Sequence, residues 1–113
     1  MTSENLHENR QAITDLFFAY AWHFDRSEPD LGAALFTDDA TIDYGPAMPP
    51  LHGRAEIGSR VATGLSEIFE GTSRHISNVS TTFDGDETAA GVAYVYAWHR
   101  YLDGSPEGYL WDQ

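Results

Sequence analysis

The segment from Thr88 to Leu102 constrains the fold most, because its two alternating sets of side chains differ greatly in size. One set is small until its final histidine: Ala89, Gly91, Ala93, Val95, Ala97 and His99. The other set is larger: Val92, Tyr94, Tyr96 and Trp98. Side chains alternate across a β-sheet, so this strand predicts a concave face around a cavity and a convex aromatic face that a second subunit covers. The alternative is a helix packed tightly onto the small face, since protein interiors are close-packed.

Helical periodicity precedes strand periodicity along the chain. Apolar residues recur at helical spacing in the first part, and Gly71 is a candidate C-terminal cap of the last helix. The predicted helices are 4–25, 31–36 and 54–69; the predicted strands are 41–44, 74–83, 88–102 and one that opens at 109–111. Helices followed by an antiparallel sheet indicate an α+β fold, and the length suits one domain over residues 1–113.

Composition excludes several classes of function. The chain has 18 acidic residues against six arginines, a formal net charge of -12, and no cysteine. Nucleic acids and anionic membrane surfaces are therefore poor partners, and disulfides, thiolate zinc sites and a cysteine nucleophile are excluded. The polar, acidic start has no secretory-signal pattern, and no apolar run approaches the ~20 residues of a membrane helix. We expect a cytoplasmic protein.

Five polar or phenolic side chains are candidates for chemistry. Asp25 ends the first helix, where the helix dipole and any burial disfavour a charged carboxylate and suit it to proton transfer; the alternative is a solvated aspartate paired with Arg26. His75 and His99 lie on successive strands. A two-residue hairpin loop would place them on opposite faces, whereas an odd-length loop or one bulge would place them together.

Tyr44 and Tyr20 complete the set, with hydroxyls that are able to donate to a ligand carbonyl. For Tyr44, packing of the ring with a solvated tip is at least as good an interpretation; for Tyr20, on the inner face of the first helix, the alternative is a core aromatic residue. Two histidines and a carboxylate also match a non-haem iron triad, but no local ligand spacing supports one. The sequence therefore predicts no metal and no cofactor.

Several blocks of sequence are similar to the SnoaL-like branch of the nuclear transport factor 2-like superfamily. The blocks are Tyr20-Ala21-Trp22-His23-Phe24-Asp25, Ala34-Leu35-Phe36-Thr37-Asp38-Asp39-Ala40, Leu51-His52-Gly53-Arg54-Ala55-Glu56-Ile57, and Arg74-His75-Ile76-Ser77-Asn78-Val79 before the Asp84-Gly85-Asp86 turn. Together they run from about residue 13 to residue 101. The resemblance implies a curved antiparallel sheet wrapped around the N-terminal helices, forming a cone with a deep apolar pocket.

Within that branch, the residues most resemble the scytalone and bile-acid dehydratases. The resemblance implies that Asp25 and His75 form an acid-base pair, that His99 is a second pocket histidine, and that Tyr44 and Tyr20 are pocket tyrosines. Phe24 departs from it, because scytalone dehydratase has a tyrosine there. Family members also continue past this chain's last residue with at least one more strand. The resemblance therefore implies a fragment, or an open sheet edge that another subunit closes.

These observations predict a cofactor-independent lyase or isomerase, of dehydratase type, acting on a small apolar cyclic carbonyl or enol compound. In this interpretation the Asp25–His75 pair abstracts a proton, His99 protonates the departing hydroxyl, and Tyr44 or Tyr20 stabilises the enolate. The competing interpretation is a non-catalytic member, either a small-ligand binder or a scaffold like the small subunit of ring-hydroxylating dioxygenases. A homodimer through Tyr94, Tyr96 and Trp98 is expected in both cases.

Overall fold

The computed structural model describes residues 2–102 and 106–112. Its helices are α1 (Ser3–Asp25), α2 (Pro29–Ala33) and α3 (Arg54–Thr63), the last continued by a π-helical turn over Gly64–Ile68. Its strands are β1 (Thr41–Ile42), β2 (Leu51–His52), β3 (Phe69–Asp84), β4 (Thr88–Tyr101) and β5 (Pro106–Asp112). Helices precede a meander of long strands, so the α+β prediction is confirmed.

The strands form two open antiparallel sheets. β1 pairs with β2, and the main sheet has the order β3-β4-β5. In the described part of the chain neither sheet closes into a barrel, and no helix there has both the length and the apolarity to cross a membrane. The sequence predicted the three long strands, with β3 beginning earlier than expected. Gly71 lies within β3 and does not cap a helix. β2 was not predicted, since two residues after a proline pair carry almost no periodic signal.

The ends of α1 follow from its sequence. The Thr2 hydroxyl accepts a hydrogen bond from the backbone N–H of Asn5 at 3.1 Å, which caps the first turn. At the other end Phe24 is fully buried and packs edge-on against Tyr20, with ring centroids 4.7 Å apart. Gly32 of α2 lies so close to the Phe24 ring that a Cβ at position 32 would overlap it. The last turn of α1 is thereby fixed where Asp25 emerges.

β4 buries its small face from Ala93 onward, as its alternation predicted, whereas Ala89 and Gly91 near its start are exposed. Ala93, Val95, Ala97 and His99 are all at least 96% buried, whereas Val92, Tyr94 and Tyr96 on the other face keep 46–49% of their surface exposed. At Gly91 the ring of Phe17 from α1 lies 3.0 Å from the position of a missing Cβ. One helix residue thus packs directly onto the small face, while a cavity remains beside it.

Candidate functional site

A cavity of about 1320 Å³ lies between α1 and the inward face of the main sheet. Its apolar walls come from α1, the segment after α2, β1, β3 and β4: Ala12, Ile13, Leu16, Phe17, Leu35, Phe36, Ile42, Ile76, Phe83, Ala89, Ala90, Gly91 and Val95. Its polar lining comes from Asn9, Tyr20, Thr37, Asp43, Tyr44, Asp86, Glu87 and Thr88. Mostly apolar walls with few polar groups are typical of small-molecule sites.

The two predicted tyrosines meet at the wall of this cavity. The hydroxyl oxygens of Tyr20 and Tyr44 lie 3.1 Å apart and share one hydrogen bond. Burial raises the pKa of the Tyr44 phenol far above its ordinary value of 10.0, the nearby Tyr20 adds to this increase, and the charge of Arg74 opposes it. Over the whole residue Tyr44 keeps 37% of its surface exposed. The phenol therefore stays protonated and able to donate.

Asp25 is held by groups on β3. Its carboxylate accepts hydrogen bonds from the Thr72 hydroxyl at 2.9 Å, the Arg74 backbone N–H at 2.7 Å and the Arg74 Nη1 at 2.8 Å. The side chains of Arg74 and Asp25 are 12% and 22% exposed. Three donors, one of them cationic, hold the carboxylate in place. Arg26, the partner of Asp25 in the alternative interpretation, instead lies over the Trp22 ring, 3.6 Å from its centroid.

The expected Asp25–His75 pair does not form in the structure, and this is a correction to the sequence analysis. His75 is exposed on the opposite face of β3, where its Nε2 hydrogen-bonds the Ser73 hydroxyl at 3.0 Å and its ring lies 6.2 Å from that of Tyr96. Arg74, the preceding residue, takes the inward position beside Asp25.

The reason is a combination of loop length and bulge. The hairpin loop has three residues, with Asp84 paired to Thr88, and this register alone would pair His75 with the inward Ala97. The register shifts by one between Ser77 and Ser80, at a bulge where Asn78 adopts the left-handed conformation with φ 54°. His75 therefore pairs with Tyr96. An odd-length loop alone, or a bulge alone, would have brought both histidines to one face of the sheet. Because both are present, their effects on the register cancel and the two histidines lie on opposite faces.

His99 does lie on the inward face. It is 4% exposed, its ring packs on Phe69 with centroids 4.7 Å apart, and it pairs across the ladder with Thr72. It sits four residues beyond Val95 on β4, roughly 13 Å along the strand, and does not line the cavity. Asp25 and His99 thus share the neighbourhood of Thr72, while Tyr20 and Tyr44 face the cavity.

Sequence reasoning missed two residues of this region. Arg74 was not singled out as a candidate. It directly precedes the candidate His75 on a strand, so a shift of one residue in the strand register decides which of the two side chains faces inward. Asp43 lines the cavity next to Tyr44, with its Oδ1 accepting from the Gly45 backbone N–H at 2.8 Å. Its position directly before a candidate tyrosine was the available signal.

Comparison with known proteins identifies the class. The model of the SnoaL-like domain matches residues 6–111, so the chain belongs to that family. The comparison with curated proteins gave no match. A superfamily protein of the nuclear transport factor 2-like type from Salmonella enterica shares the fold, with a TM-score of 0.78 at 18% identity. The family prediction from the sequence is confirmed.

Two solved structures from Novosphingobium aromaticivorans are 30% identical to this chain. One is provisionally named a scytalone dehydratase; the match covers 100% of this chain and 89% of that one, with a TM-score of 0.78. The other is provisionally named an aromatic ring hydroxylase; the match covers 93% of this chain and 77% of that one, with a TM-score of 0.79. The hexachlorocyclohexane dehydrochlorinase LinA type 2 shares the fold at 18% identity, with a TM-score of 0.82 over 98% of this chain and 74% of that one. The structural neighbours thus include dehydratase and dehydrochlorinase types.

The free energy of unfolding tests whether Arg74 or His75 is the partner of Asp25. Asp25→Ala leaves the buried Arg74 charge without its counter-ion, so we expect the free energy of unfolding to fall by about 3 kcal/mol. His75→Ala removes an exposed side chain and should change it by about 0.5 kcal/mol or less. Urea denaturation of both variants measures the difference. Equal losses, or a larger loss for His75→Ala, would contradict the Asp25–Arg74 assignment.

Proposed function

We propose that this protein is a small-molecule lyase or isomerase, of dehydratase type, that binds an apolar cyclic carbonyl or enol compound. The observation that carries the proposal is the Tyr20–Tyr44 phenol pair at the wall of the apolar cavity. When the hydrogen bond between the two hydroxyls opens, both phenols are able to donate to one carbonyl oxygen and to stabilise the charge that develops on it as an enolate forms. The structural neighbours named for dehydration and dehydrochlorination support the same class of chemistry.

The proton acceptor in this proposal is Asp43. It lines the cavity beside Tyr44, and its hydrogen bond to the Gly45 N–H orients one carboxylate oxygen and leaves the other to abstract a proton alpha to the bound carbonyl. The roles predicted from sequence for Asp25 and His99 stay predictions, since neither residue lines the cavity. His75 has no place in this proposal.

Binding tests the phenol pair. With 2-naphthol as the probe, we expect Tyr20→Phe and Tyr44→Phe each to weaken binding about fivefold to tenfold, the loss of one neutral hydrogen bond. Tyr94→Phe is the matched control, because this tyrosine lies on the outer face of β4 and 48% of its surface is exposed. Fluorescence titration gives the dissociation constants. Equal affinity in all three variants would remove the phenol pair from the site.

Proton exchange separates an enzyme from a binder. The probe is 2-tetralone, whose hydrogens alpha to the carbonyl exchange slowly in deuterium oxide and are followed by NMR. We expect wild-type protein to accelerate the exchange and Asp43→Asn to reduce that acceleration roughly 100-fold or more. A protein that binds the ketone through the tyrosines without accelerating exchange is the non-catalytic ligand binder of the competing interpretation. That result would overturn the proposal that the protein is an enzyme, while the proposed ligand-binding site would still stand.

The outer face of the sheet supports a second proposal, a homodimer. Val92, Tyr94 and Tyr96 form a half-exposed apolar stripe on β4, and a two-fold axis lets one such stripe pack on its own copy. Sedimentation velocity should show a dimer for the wild type and a monomer for Tyr94→Arg with Tyr96→Arg. Trp22→Arg, at a 57% exposed aromatic residue of α1, is the control and should stay dimeric. A wild-type monomer would contradict the proposal.

A further inference from the structure

Arg74 connects the carboxylate site to the phenol pair. On one side its Nη1 donates to the Asp25 Oδ1 at 2.8 Å and to the Thr72 hydroxyl at 3.0 Å. On the other side its guanidinium carbon lies 5.7 Å from the ring centroid of Tyr20 and 5.8 Å from that of Phe24. A cation within about 6 Å of an aromatic centroid interacts favourably with the ring. The guanidinium therefore contacts both Asp25 and the ring of Tyr20.

Two further observations concern the groups of Arg74 that Asp25 does not contact and the reach of its charge. Its Nε is buried and has no hydrogen-bond acceptor among the described residues. Its positive charge also lowers the pKa of the Tyr44 phenol, against the combined effect of burial and Tyr20. The field of Arg74 thus reaches the hydroxyl that lies 3.1 Å from that of Tyr20.

The two charges of the ion pair act on the phenol pair with opposite signs. Arg74 attracts negative charge toward the tyrosine hydroxyls, while the opposite charge of Asp25 repels it. Electrostatic interactions are strong where water is excluded, and the 12% exposed Arg74 side chain is such a place. We expect the charge of Arg74 to dominate, because its guanidinium carbon lies 5.7 Å from the Tyr20 ring centroid and the Coulomb interaction falls with distance.

We propose that Arg74 is a positioning residue that biases the Tyr20–Tyr44 pair toward an ionised ligand oxygen, an enolate or a phenolate, and that Asp25 moderates this bias. The proposal rests on the proposed function only in that the phenol pair binds a ligand oxygen. It adds a preference for the anionic form of the ligand and names the groups that set this preference. Arg74 acts through the phenols and their field, without touching the ligand.

The experiment uses 4-nitrophenol as the probe, because its neutral and ionised forms absorb light at different wavelengths. Absorbance of the bound probe at a series of pH values gives the ratio of ionised to neutral ligand. We expect Arg74→Gln to lower that ratio about tenfold, the effect of one unit of pKa on the probe. Asp25→Asn should raise the ratio above the wild-type value. Arg74→Lys keeps the positive charge, so its ratio should stay close to the wild-type value.

Arg10→Gln is the matched control. Arg10 also joins α1 to β3, since its Nη1 donates to the Thr81 carbonyl at 2.8 Å and its guanidinium carbon lies 5.3 Å from the Phe83 ring centroid. It lies ten residues before Tyr20 on α1, about 15 Å along the helix axis. Its removal takes away one arginine and one cation–π contact without changing the charge beside the phenols. The ratio should stay at the wild-type value.

Opposite shifts for Arg74→Gln and Asp25→Asn support the proposal, because a merely structural role would move both in one direction. Shifts in the same direction, or equal effects of Arg74→Gln and Arg10→Gln, overturn it and leave the proposed function standing. A probe that binds without dependence on Tyr20 and Tyr44 overturns both. If Arg74→Gln does not fold, Arg74→Lys and Asp25→Asn decide: the proposal then requires a near-normal ratio in the first and a raised ratio in the second.

Discussion

The hydrogen-bonded ion pair between Asp25 and Arg74 fixes the end of the first helix to the main sheet. A carboxylate at a helix C-terminus is unfavourable by itself, because it faces the negative end of the helix dipole. Here a backbone N–H, a hydroxyl and a guanidinium compensate it. Phe24, fully buried beside it, and Tyr20, one turn earlier, are positioned by the same anchor. The orientation of the phenol pair toward the cavity therefore depends on a contact outside the cavity.

The small face of β4 is the second constraint, and it was readable from sequence. Alternation of alanine, glycine and valine against tyrosine and tryptophan indicated which face is buried, and the structure confirms it from Ala93 to His99. The bounds of α1 were also predictable, since its apolar spacing is regular and Asp25 follows directly. Short elements such as β2 were not predictable, because two residues cannot show a period.

The inward residue of β3 lay beyond sequence reasoning for a specific physical reason. Side chains of a strand alternate with a period of two, so any single inserted residue exchanges the faces. The sequence allowed either a bulge or an odd loop, and the structure has both, so Arg74 and not His75 meets Asp25. Asn78 was a weak local signal, since asparagine tolerates the left-handed conformation. The fold is insensitive to this choice, whereas the chemistry of the site depends on it entirely.

The identity of the side chain that faces inward at this point of β3 is the central claim, and NMR tests it most directly. Nuclear Overhauser effects from the ring protons of His75 should connect it to Tyr96, whose ring centroid lies 6.2 Å away, and those of the Arg74 side chain should connect it to Tyr20 and Phe24. Cross-peaks from His75 to Phe24, with Arg74 free in solvent, would contradict the account.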